Sequence, residues 1–116
     1  MVSEYKQHKK QRSVLCNMKH AIRGDTLTVW LSGELDHHCA ERIRIGLETL
    51  LENARIKHLT LNLKDLSFMD SSGIGVVLGR YNTLVKRGGD VTVEQPSARV
   101  DRIFSMSGIY QIINKR

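Results

Sequence analysis

The fold of this chain is decided by the stretch Leu61-Asn-Leu-Lys-Asp-Leu-Ser-Phe-Met-Asp-Ser-Ser-Gly-Ile-Gly-Val-Val-Leu-Gly-Arg-Tyr81. Leucines alternate with polar residues at its beginning, and the alternation already starts at Leu59, which is typical of a β-strand. The residues Asp70-Ser71-Ser72-Gly73 then supply a helix start, because short polar side chains accept hydrogen bonds from the free amides of a first turn. The stretch therefore predicts a strand followed directly by a helix. We predict that the helix ends at Gly88-Gly89 and buries one face, formed by Ile74, Val77, Leu78, Tyr81, Leu84 and Val85.

Two strands and a helix are predicted upstream of this stretch. Alternation over residues 16–22 and again over residues 27–31 predicts two strands, joined by a turn at Arg23-Gly24-Asp25. Apolar residues from Cys39 to Ala54 recur at the spacing of one helix face. Trp30 points away from the apolar side of its strand, and we expect a helix to cover it.

Downstream, the alternation of strands and helices continues. Val91 and Val93 predict a short strand, and Pro96-Ser97 opens a third helix that ends at Gly108. Residues 109–113 are expected to form a last strand. The predicted fold class is α/β, with a mixed β-sheet and helices in the order β-β-α-β-α-β-α-β.

The composition is that of one compact domain. The chain has 116 residues, of which 41% are hydrophobic and 26% charged, enough to bury a single core. We assign residues 1–13 to a basic N-terminal extension and residues 14–116 to a single domain. No apolar stretch approaches the roughly 20 residues of a membrane span, and the N-terminus lacks the apolar segment of a secretory signal. We therefore expect a cytoplasmic protein without a membrane partner, in which Cys16 and Cys39 are reduced.

The positive charge of the chain is concentrated partly at its ends. The formal net charge is +6 and the sequence pI is about 9.6, and basic residues lie within segments 6–12 and 115–116. A nucleic-acid-binding protein would use these ends and would lose affinity steeply as the salt concentration rises. No interleaving of aromatic and basic residues accompanies them, so we expect no direct nucleic-acid partner.

Polar residues follow the ends of neighbouring strands. In a strand-helix-strand unit the carboxyl ends of the parallel strands lie along one edge of the sheet, where functional sites gather. The second strand ends in residues 32–38 and the third in residues 66–73. We expect the following residues to converge at this edge: Glu34, Asp36, Asp70 and Ser71, joined after the fourth strand by Glu94, Gln95 and Ser97. The sequence therefore predicts an acidic rim around a serine.

A hydrolase or a metal site at this rim lacks its usual sequence signals. Ser71 is not part of the Gly-x-Ser-x-Gly elbow of a hydrolase nucleophile, although His37 or His38 would be near enough to serve as a base. The neighbouring side chains of His37, His38 and Cys39 project in different directions and do not readily close on one metal ion. We predict neither a catalytic residue nor a metal ligand here.

Three glycines at the start of the predicted helix, Gly73, Gly75 and Gly79, resemble a phosphate-binding loop in composition. Their spacing matches neither Gly-x-Gly-x-x-Gly nor a loop that ends in Gly-Lys-Ser/Thr. We interpret Gly75 and Gly79 as positions of close helix packing or of a partner's close approach. No cofactor is predicted.

Two stretches taken together resemble the STAS family, which is shared by anti-sigma factor antagonists and the cytoplasmic domains of sulphate transporters. They are Leu31–His38, with the sequence Leu-Ser-Gly-Glu-Leu-Asp-His-His, and Leu61–Tyr81. Phe104-Ser-Met-Ser-Gly108 fits the end of the family's third helix. The resemblance runs from about Leu15 to Ile113 and is greatest to sporulation antagonists of the anti-sigma-F factor. It implies a STAS-type mixed sheet.

The resemblance implies a regulatory protein and not an enzyme. In this family the unphosphorylated antagonist binds an anti-sigma factor that is also a serine kinase, and so frees the sigma factor. The kinase uses ATP to inactivate the antagonist, and a serine phosphatase restores it. Ser71 aligns with the phosphorylated serine, and Ser72 is the competing acceptor. The partner-binding surface implied by the same match comprises Glu34, Asp36, Asp70, Ser71, Ser72, Gly73 and Ile74. An antagonist for a stress-response sigma factor, or a stressosome scaffold, is the alternative within the family.

Overall fold

The computed structural model describes residues 15–116, which form a five-stranded sheet and three α-helices. The strands are β1 (Asn17–Arg23), β2 (Thr26–Leu35), β3 (His58–Met69), β4 (Asp90–Glu94) and β5 (Asn114–Lys115). The helices are α1 (His37–Leu50), α2 (Ser71–Val85) and α3 (Ala98–Ser107), and a 3-10 helix spans Ile109–Gln111. The sheet order is β1-β2-β3-β4-β5, with β1 antiparallel to β2 and the other neighbours parallel. The predicted α/β class and mixed sheet are confirmed. The predicted basic extension, residues 1–13, lies outside the described residues.

A tight turn joins β1 to β2. Gly24 in this turn has a φ of +62°, which a glycine adopts without strain. The carbonyl of Asp25 accepts hydrogen bonds from the amides of Lys57 and His58, at 2.9 and 3.1 Å. The predicted turn is therefore confirmed, and it is also tied to the start of β3.

All three helices pack on the same face of the sheet. Leu27 lies beside Leu59 in the sheet, Leu59 lies beside Val91, and all three side chains are fully buried. Trp30 points to the opposite face and is 42% exposed. The expectation that a helix covers Trp30 is wrong, because the helices all lie on the side of Leu27. Each helix adds residues to this one core, among them Ile43, Val77 and Phe104.

β3 contains two β-bulges, where its pairing with β2 shifts by one residue. At the first bulge the side chain of Asn62 accepts a hydrogen bond from the amide of Lys64 at 3.1 Å. At the second, the Ser67 hydroxyl donates to the carbonyl of Gly33 at 3.0 Å. Each extra residue changes the spacing of the buried positions from two to three. The buried side chains of this segment are accordingly Leu63, Leu66 and Met69.

The buried face of α2 differs from the predicted one. Leu78 and Val85, which are predicted to be buried, are 38% and 43% exposed. Arg80 is buried instead, and its Nη2 atom lies 3.2 Å from Glu48 Oε2 on α1. The prediction is wrong for Leu78 and Val85, because α2 turns its Arg80 side towards α1, and it is confirmed for Val77 and Leu84, which are buried. The buried positions of the helix are Gly73, Val76, Val77, Arg80 and Leu84.

α1 ends at Leu50, before the predicted Ala54. The guanidinium group of Arg87 donates hydrogen bonds to the carbonyls of Leu51, at 2.7 Å, and Ile56, at 2.9 Å. These bonds satisfy carbonyls beyond the last helical turn and hold the chain in a loop. Leu51 and Ile56 are therefore buried without being helical.

The expected last strand over residues 109–113 is a 3-10 helix, and the strand that follows has only two residues. Ile109 and Ile113 are both buried, and this spacing of four suits a helical turn better than a strand. The Tyr110 hydroxyl donates a hydrogen bond to Asp101 of α3 at 2.6 Å. This bond fixes the 3-10 helix against α3, so that the chain joins the sheet only at β5.

Both cysteines are buried as free thiols in the described part of the chain. Burial, as the main cause, raises the pKa of Cys16 to about 11. Within residues 15–116, no helix combines the length and the apolar character needed to cross a membrane.

Substitution of Gly89 by alanine should destabilise the protein. A Cβ atom at this position would lie 1.6 Å from the carbonyl oxygen of Lys57, which also accepts a hydrogen bond from the amide of Asp90 at 3.0 Å. Gly75 is the matched control, because a Cβ atom there meets nothing within 4 Å. We expect Gly89→Ala to lower the free energy of unfolding by about 2–3 kcal/mol. Gly75→Ala should leave it unchanged or raise it by up to about 1 kcal/mol. Urea denaturation measures both, and equal stability of the two variants would contradict the close contact described for Gly89.

Stability should depend on the protonation of His58. Its Nδ1 atom lies 2.9 Å from Asp90 Oδ1, and its Nε2 atom lies 3.7 Å from Asp25 Oδ2. The hydrogen bond with Asp90 raises the pKa of His58 above its ordinary value of 6.5, against a smaller opposing effect of burial. A raised pKa in the folded state gives a stabilisation that is complete below the unfolded pKa and is lost as the pH rises through the folded pKa.

The free energy of unfolding of the wild-type protein should therefore be higher than that of His58→Gln. This difference should be larger at about pH 5.5 than at about pH 8.5. Urea denaturation at the two pH values measures this difference. His20→Gln, at an exposed position of β1, is the control and should follow the wild type at both. A difference that stays constant with pH would show that the charged form of His58 contributes nothing.

Candidate functional site at the starts of α1 and α2

The carboxyl ends of β2 and β3 lie side by side, and a helix starts from each. The amide of Asp70 donates a hydrogen bond to the carbonyl of Leu35, the last residue of β2, at 3.3 Å. Asp36 and Asp70 are the N-cap residues of α1 and α2. The structure thus brings together the two segments expected at this edge, residues 34–36 and 70–71.

Asp70 connects the two helix starts. Its Oδ1 atom accepts a hydrogen bond from the amide of Ser72 at 2.9 Å, which caps α2. Its Oδ2 atom accepts a hydrogen bond from the amide of His37, the first residue of α1, at 3.2 Å. One carboxylate therefore satisfies backbone amides that would otherwise be unpaired at the start of each helix.

Asp36 caps α1 within its own turn. Its Oδ1 atom accepts hydrogen bonds from the amides of His38, at 3.0 Å, and Cys39, at 3.2 Å. Glu34 lies two residues earlier, near the end of β2 and opposite the bulged end of β3, and both side chains are half-buried. Together with Asp70, these carboxylates make this edge of the sheet acidic.

Ser71 is the first residue of α2 and is exposed. The cap of the helix uses the carboxylate of Asp70 and the amide of Ser72, and leaves the Ser71 hydroxyl facing solvent. Ser72 and Ile74 are half-buried. The Ser71 hydroxyl is therefore the more accessible of the two adjacent hydroxyl groups.

Gly73 allows α2 to lie close to the end of the sheet. A Cβ atom at this position would lie 2.3 Å from Met69 Cγ and 3.2 Å from Leu35 Cδ2. A Cβ atom at Gly75 or Gly79 would meet nothing within 4 Å. The interpretation of Gly75 and Gly79 as helix-packing positions is therefore wrong, and close packing is the role of Gly73 alone among the three.

The end of β4 does not reach this edge. Glu94, the last residue of β4, pairs with Asn62, and β3 continues from there to Met69. At about 3.3 Å per residue this leaves roughly 20 Å between the two strand ends. Glu94 is instead paired with Arg116, with 2.7 Å between Glu94 Oε2 and Arg116 Nε. The expected rim residues after this strand were Glu94, Gln95 and Ser97. This expectation is wrong, because β4 is much shorter than β3.

The site offers an accessible hydroxyl group, several carboxylates and two helix starts. In residues 15–116 no group of three or more His, Cys, Asp or Glu side chains is arranged to hold a metal ion. The rings of His37 and His38 lie against each other, with centroids 4.0 Å apart, and His37 Nδ1 is 4.0 Å from Asp70 Oδ2. The contact that the His37 ring makes at this site is therefore with Asp70 and not with Ser71. This arrangement suits binding and covalent modification of a hydroxyl group.

Sequence reasoning missed the contribution of His37. Its backbone amide, and not only its ring, contacts Asp70, although the two residues are 33 positions apart. No local pattern indicates such a contact. The one available clue is the parallel pairing of β2 and β3, which places the residues that follow them at the same edge.

Removal of the Asp70 carboxylate should destabilise the fold more than loss of a simple helix cap. Asp70→Ala removes hydrogen bonds to α1 and α2 together, and we expect it to lower the free energy of unfolding by about 2 kcal/mol. Ser97→Ala is the matched control, because Ser97 caps α3 through one hydrogen bond, to the amide of Val100 at 3.2 Å; it should cost about 1 kcal/mol. Urea denaturation decides the order of the two, and a smaller loss for Asp70→Ala would contradict its role in joining the helices.

Comparison with known sequences links this site to a family. A family model for the STAS domain matches residues 14–116. The anti-sigma F factor antagonist of Paenibacillus polymyxa is 42% identical over 87 residues, which cover 75% of this chain and 74% of that protein. The anti-sigma-B factor antagonist of Bacillus subtilis is 36% identical over 88 residues, which cover 76% of this chain and 79% of that protein. The similarity therefore extends over most of each chain.

Solved structures have the same architecture. The anti-sigma factor antagonist SpoIIAA in its unphosphorylated form matches with a TM-score of 0.77 and 34% identity, over 86% of this chain and 88% of that chain. The Bacillus cell fate determinant SpoIIAA in the phosphorylated form matches with a TM-score of 0.69 and 33% identity, over 86% of this chain and 91% of that chain. Both forms of SpoIIAA thus have the fold described above.

Proposed function

Since the chain belongs to the STAS-domain family, we propose that it is an anti-sigma factor antagonist controlled by phosphorylation of Ser71. In its unphosphorylated form it binds an anti-sigma factor that is also a serine kinase, and the bound sigma factor is released. A serine phosphatase returns the modified protein to its binding form. These events take place in the cytoplasm, where sigma factors act.

The observation that carries this proposal is the position of Ser71 as the exposed first residue of α2. In the modification step the Ser71 oxygen attacks the γ-phosphorus of ATP. The bond between that phosphorus and the β,γ-bridging oxygen breaks, ADP leaves, and the serine proton passes to a base of the kinase. A phosphate at a helix start is stabilised by the helix dipole, so the modification is compatible with the fold. SpoIIAA, which has this architecture, is known in both forms.

Phosphorylation changes binding through charge. The phosphate adds roughly −1.5 to −2 charges at pH 7 beside the carboxylates of Glu34, Asp36 and Asp70. At about 6 Å and an effective dielectric near 20, each added unit of charge interacts with a carboxylate by roughly 2–3 kcal/mol before screening by salt. Repulsion of that size from an acidic group of the partner lowers affinity by about a hundredfold.

The partner surface that we propose surrounds Ser71. The half-buried Glu34 and Asp36 approach it from the end of β2, and Asp70 holds the two loops together through the amide of His37. The surface consists of Glu34, Asp36, Asp70, Ser71, Ser72, Gly73 and Ile74. Both named relatives are antagonists, which favours a binding protein over a hydrolase that would use Ser71.

A second candidate function is control of a stress-response sigma factor, as antagonist or as stressosome scaffold. It is favoured by the 36% identity to the anti-sigma-B factor antagonist of Bacillus subtilis. The two candidates share the site and the modification, and they differ in the anti-sigma factor that is bound. The higher identity to an anti-sigma F factor antagonist favours the sporulation type.

Mass spectrometry after incubation with ATP and a cognate anti-sigma factor kinase tests the proposal. We expect one phosphate, located on Ser71, in the wild type and in Ser72→Ala, and none in Ser71→Ala. Titration calorimetry should show that phosphorylated protein binds the kinase about a hundredfold more weakly than unphosphorylated protein. Circular dichroism of each variant controls for folding. Absence of both binding and phosphate, with a kinase that modifies a control antagonist, would overturn the proposal, and a phosphate on Ser72 would move the switch to that residue.

A further inference from the structure

An apolar stripe of α2 runs in line with Ser71. Positions 71, 74, 78, 81 and 85 are spaced alternately by three and four residues, so that they follow one line along the helix. Leu78 and Val85 are 38% and 43% exposed, and Ile74 and Tyr81 are partly buried against the core. The modifiable serine therefore stands at the head of an apolar stripe that is about 16 Å long from Ile74 to Val85.

Helical spacing places the stripe on the side of α2 away from α1 and towards α3. Arg80 marks the opposite flank, since it contacts Glu48 of α1. On α3, Asp101 marks the flank that faces β5, because its Oδ1 atom lies 2.6 Å from the Tyr110 hydroxyl and 2.9 Å from Lys115 Nζ. The other flank of α3, which is nearer to α2, carries Arg99, Ile103 and Met106.

We call the exposed and partly buried apolar residues on these two flanks the α2–α3 face. Met106 is 77% exposed, the most exposed of the large apolar residues in the described chain. Single exposed apolar residues are ordinary in proteins, but a row of them beside a functional group marks an interaction site. The α2–α3 face consists of Ile74, Leu78, Tyr81, Val85, Ile103 and Met106.

The border of the α2–α3 face is basic. α2 contains no acidic residue, and its one charged residue, Arg80, is buried. Lys86, Arg99 and Arg102 are exposed around the face. The acidic residue of α3, Asp101, is already engaged by Tyr110 and Lys115. The charge of this border therefore complements an acidic partner, in contrast with the acidic edge that surrounds Ser71.

We propose that the α2–α3 face receives an acidic amphipathic helix of the anti-sigma factor, which lies along α2 with one end beside Ser71. The proposal rests on the function proposed above and adds the element of the partner that is bound. A helix with apolar residues at i, i+4 and i+7 presents a stripe of matching length. Its acidic side faces Lys86, Arg99 and Arg102, and the end near Ser71 is the part that a phosphate repels.

Affinity measurements on exposed positions test the proposal. We expect the unphosphorylated double variant Leu78→Ser, Val85→Ser to bind the cognate anti-sigma factor kinase about tenfold or more weakly than wild type in titration calorimetry. Met106→Ser should weaken binding in the same direction. Ile45→Ser is the matched control, because Ile45 is 50% exposed on α1; it should change affinity by less than about twofold.

The charge of the partner is tested separately. Arg99→Glu with Arg102→Glu should weaken binding by about tenfold or more, and the loss should shrink as salt is added. Arg55→Glu, at an exposed position of the loop after α1, is the control and should bind as wild type does. Thermal unfolding of each variant verifies that the fold is retained.

The possible results separate this proposal from the function itself. If wild type fails to bind the kinase, the proposed function is overturned. If wild type binds and the Leu78/Val85 variant binds equally well, only the assignment of the α2–α3 face is overturned. Sedimentation velocity tests whether a second copy of this chain binds the α2–α3 face instead. A wild-type dimer that becomes a monomer in the Leu78→Ser, Val85→Ser variant would assign the face to that second copy and would overturn the proposal.

Discussion

The structure depends on the pair of hydrogen bonds made by the Asp70 carboxylate. One oxygen caps α2 through the amide of Ser72, and the other accepts the amide of His37 at the start of α1. The two helices thereby begin at the same level above adjacent parallel strands. Ser71 owes its exposed position to this arrangement, because the cap engages the residues on either side and not its hydroxyl. The pair of hydrogen bonds that joins the two helix starts therefore also leaves Ser71 exposed at the site.

The bulges of β3 provide the second constraint. They keep Leu66 and Met69 directed to the core although the alternation of the sequence is broken. β3 also continues to Met69, well past Asn62, where its pairing with β4 ends. The tip of the β2–β3 pair consequently extends beyond β4, and the site is formed by two strand ends only. Gly73 then lets α2 leave the tip in contact with Met69. Strand length, and not only strand order, determines which residues can meet.

The features that local chemistry controls were predictable from the sequence. The turn at Gly24 and the helix starts at Asp70 and Ser97 each follow from a pattern of a few residues. The family resemblance also identified the segments that meet at the site.

The wrong predictions concern features that depend on contacts between residues far apart in the sequence. The face of α2 depends on the contact of Arg80 with Glu48, which is 32 positions away. The exposure of Trp30 depends on the placement of every helix on one side of the sheet. The separation of Glu94 from Ser71 depends on how far β3 continues beyond Asn62, where its pairing with β4 ends. Of the apolar residues of α2 that were predicted to be buried, Leu78 and Val85 are exposed, because helical spacing alone does not separate buried from exposed positions at the border of a helix face.

The placement of all three helices on one face has a practical consequence for Trp30. It is the single tryptophan of the chain, and it lies on the face of the sheet opposite the three helices of residues 15–116. An event at the helix starts or along α2 therefore occurs on the other side of the sheet from the only indole group. The fluorescence of Trp30 therefore reports whether the sheet is folded, and no added label is needed. A variant that changes only the helix surface should keep this fluorescence, whereas a variant that disrupts the fold should change it.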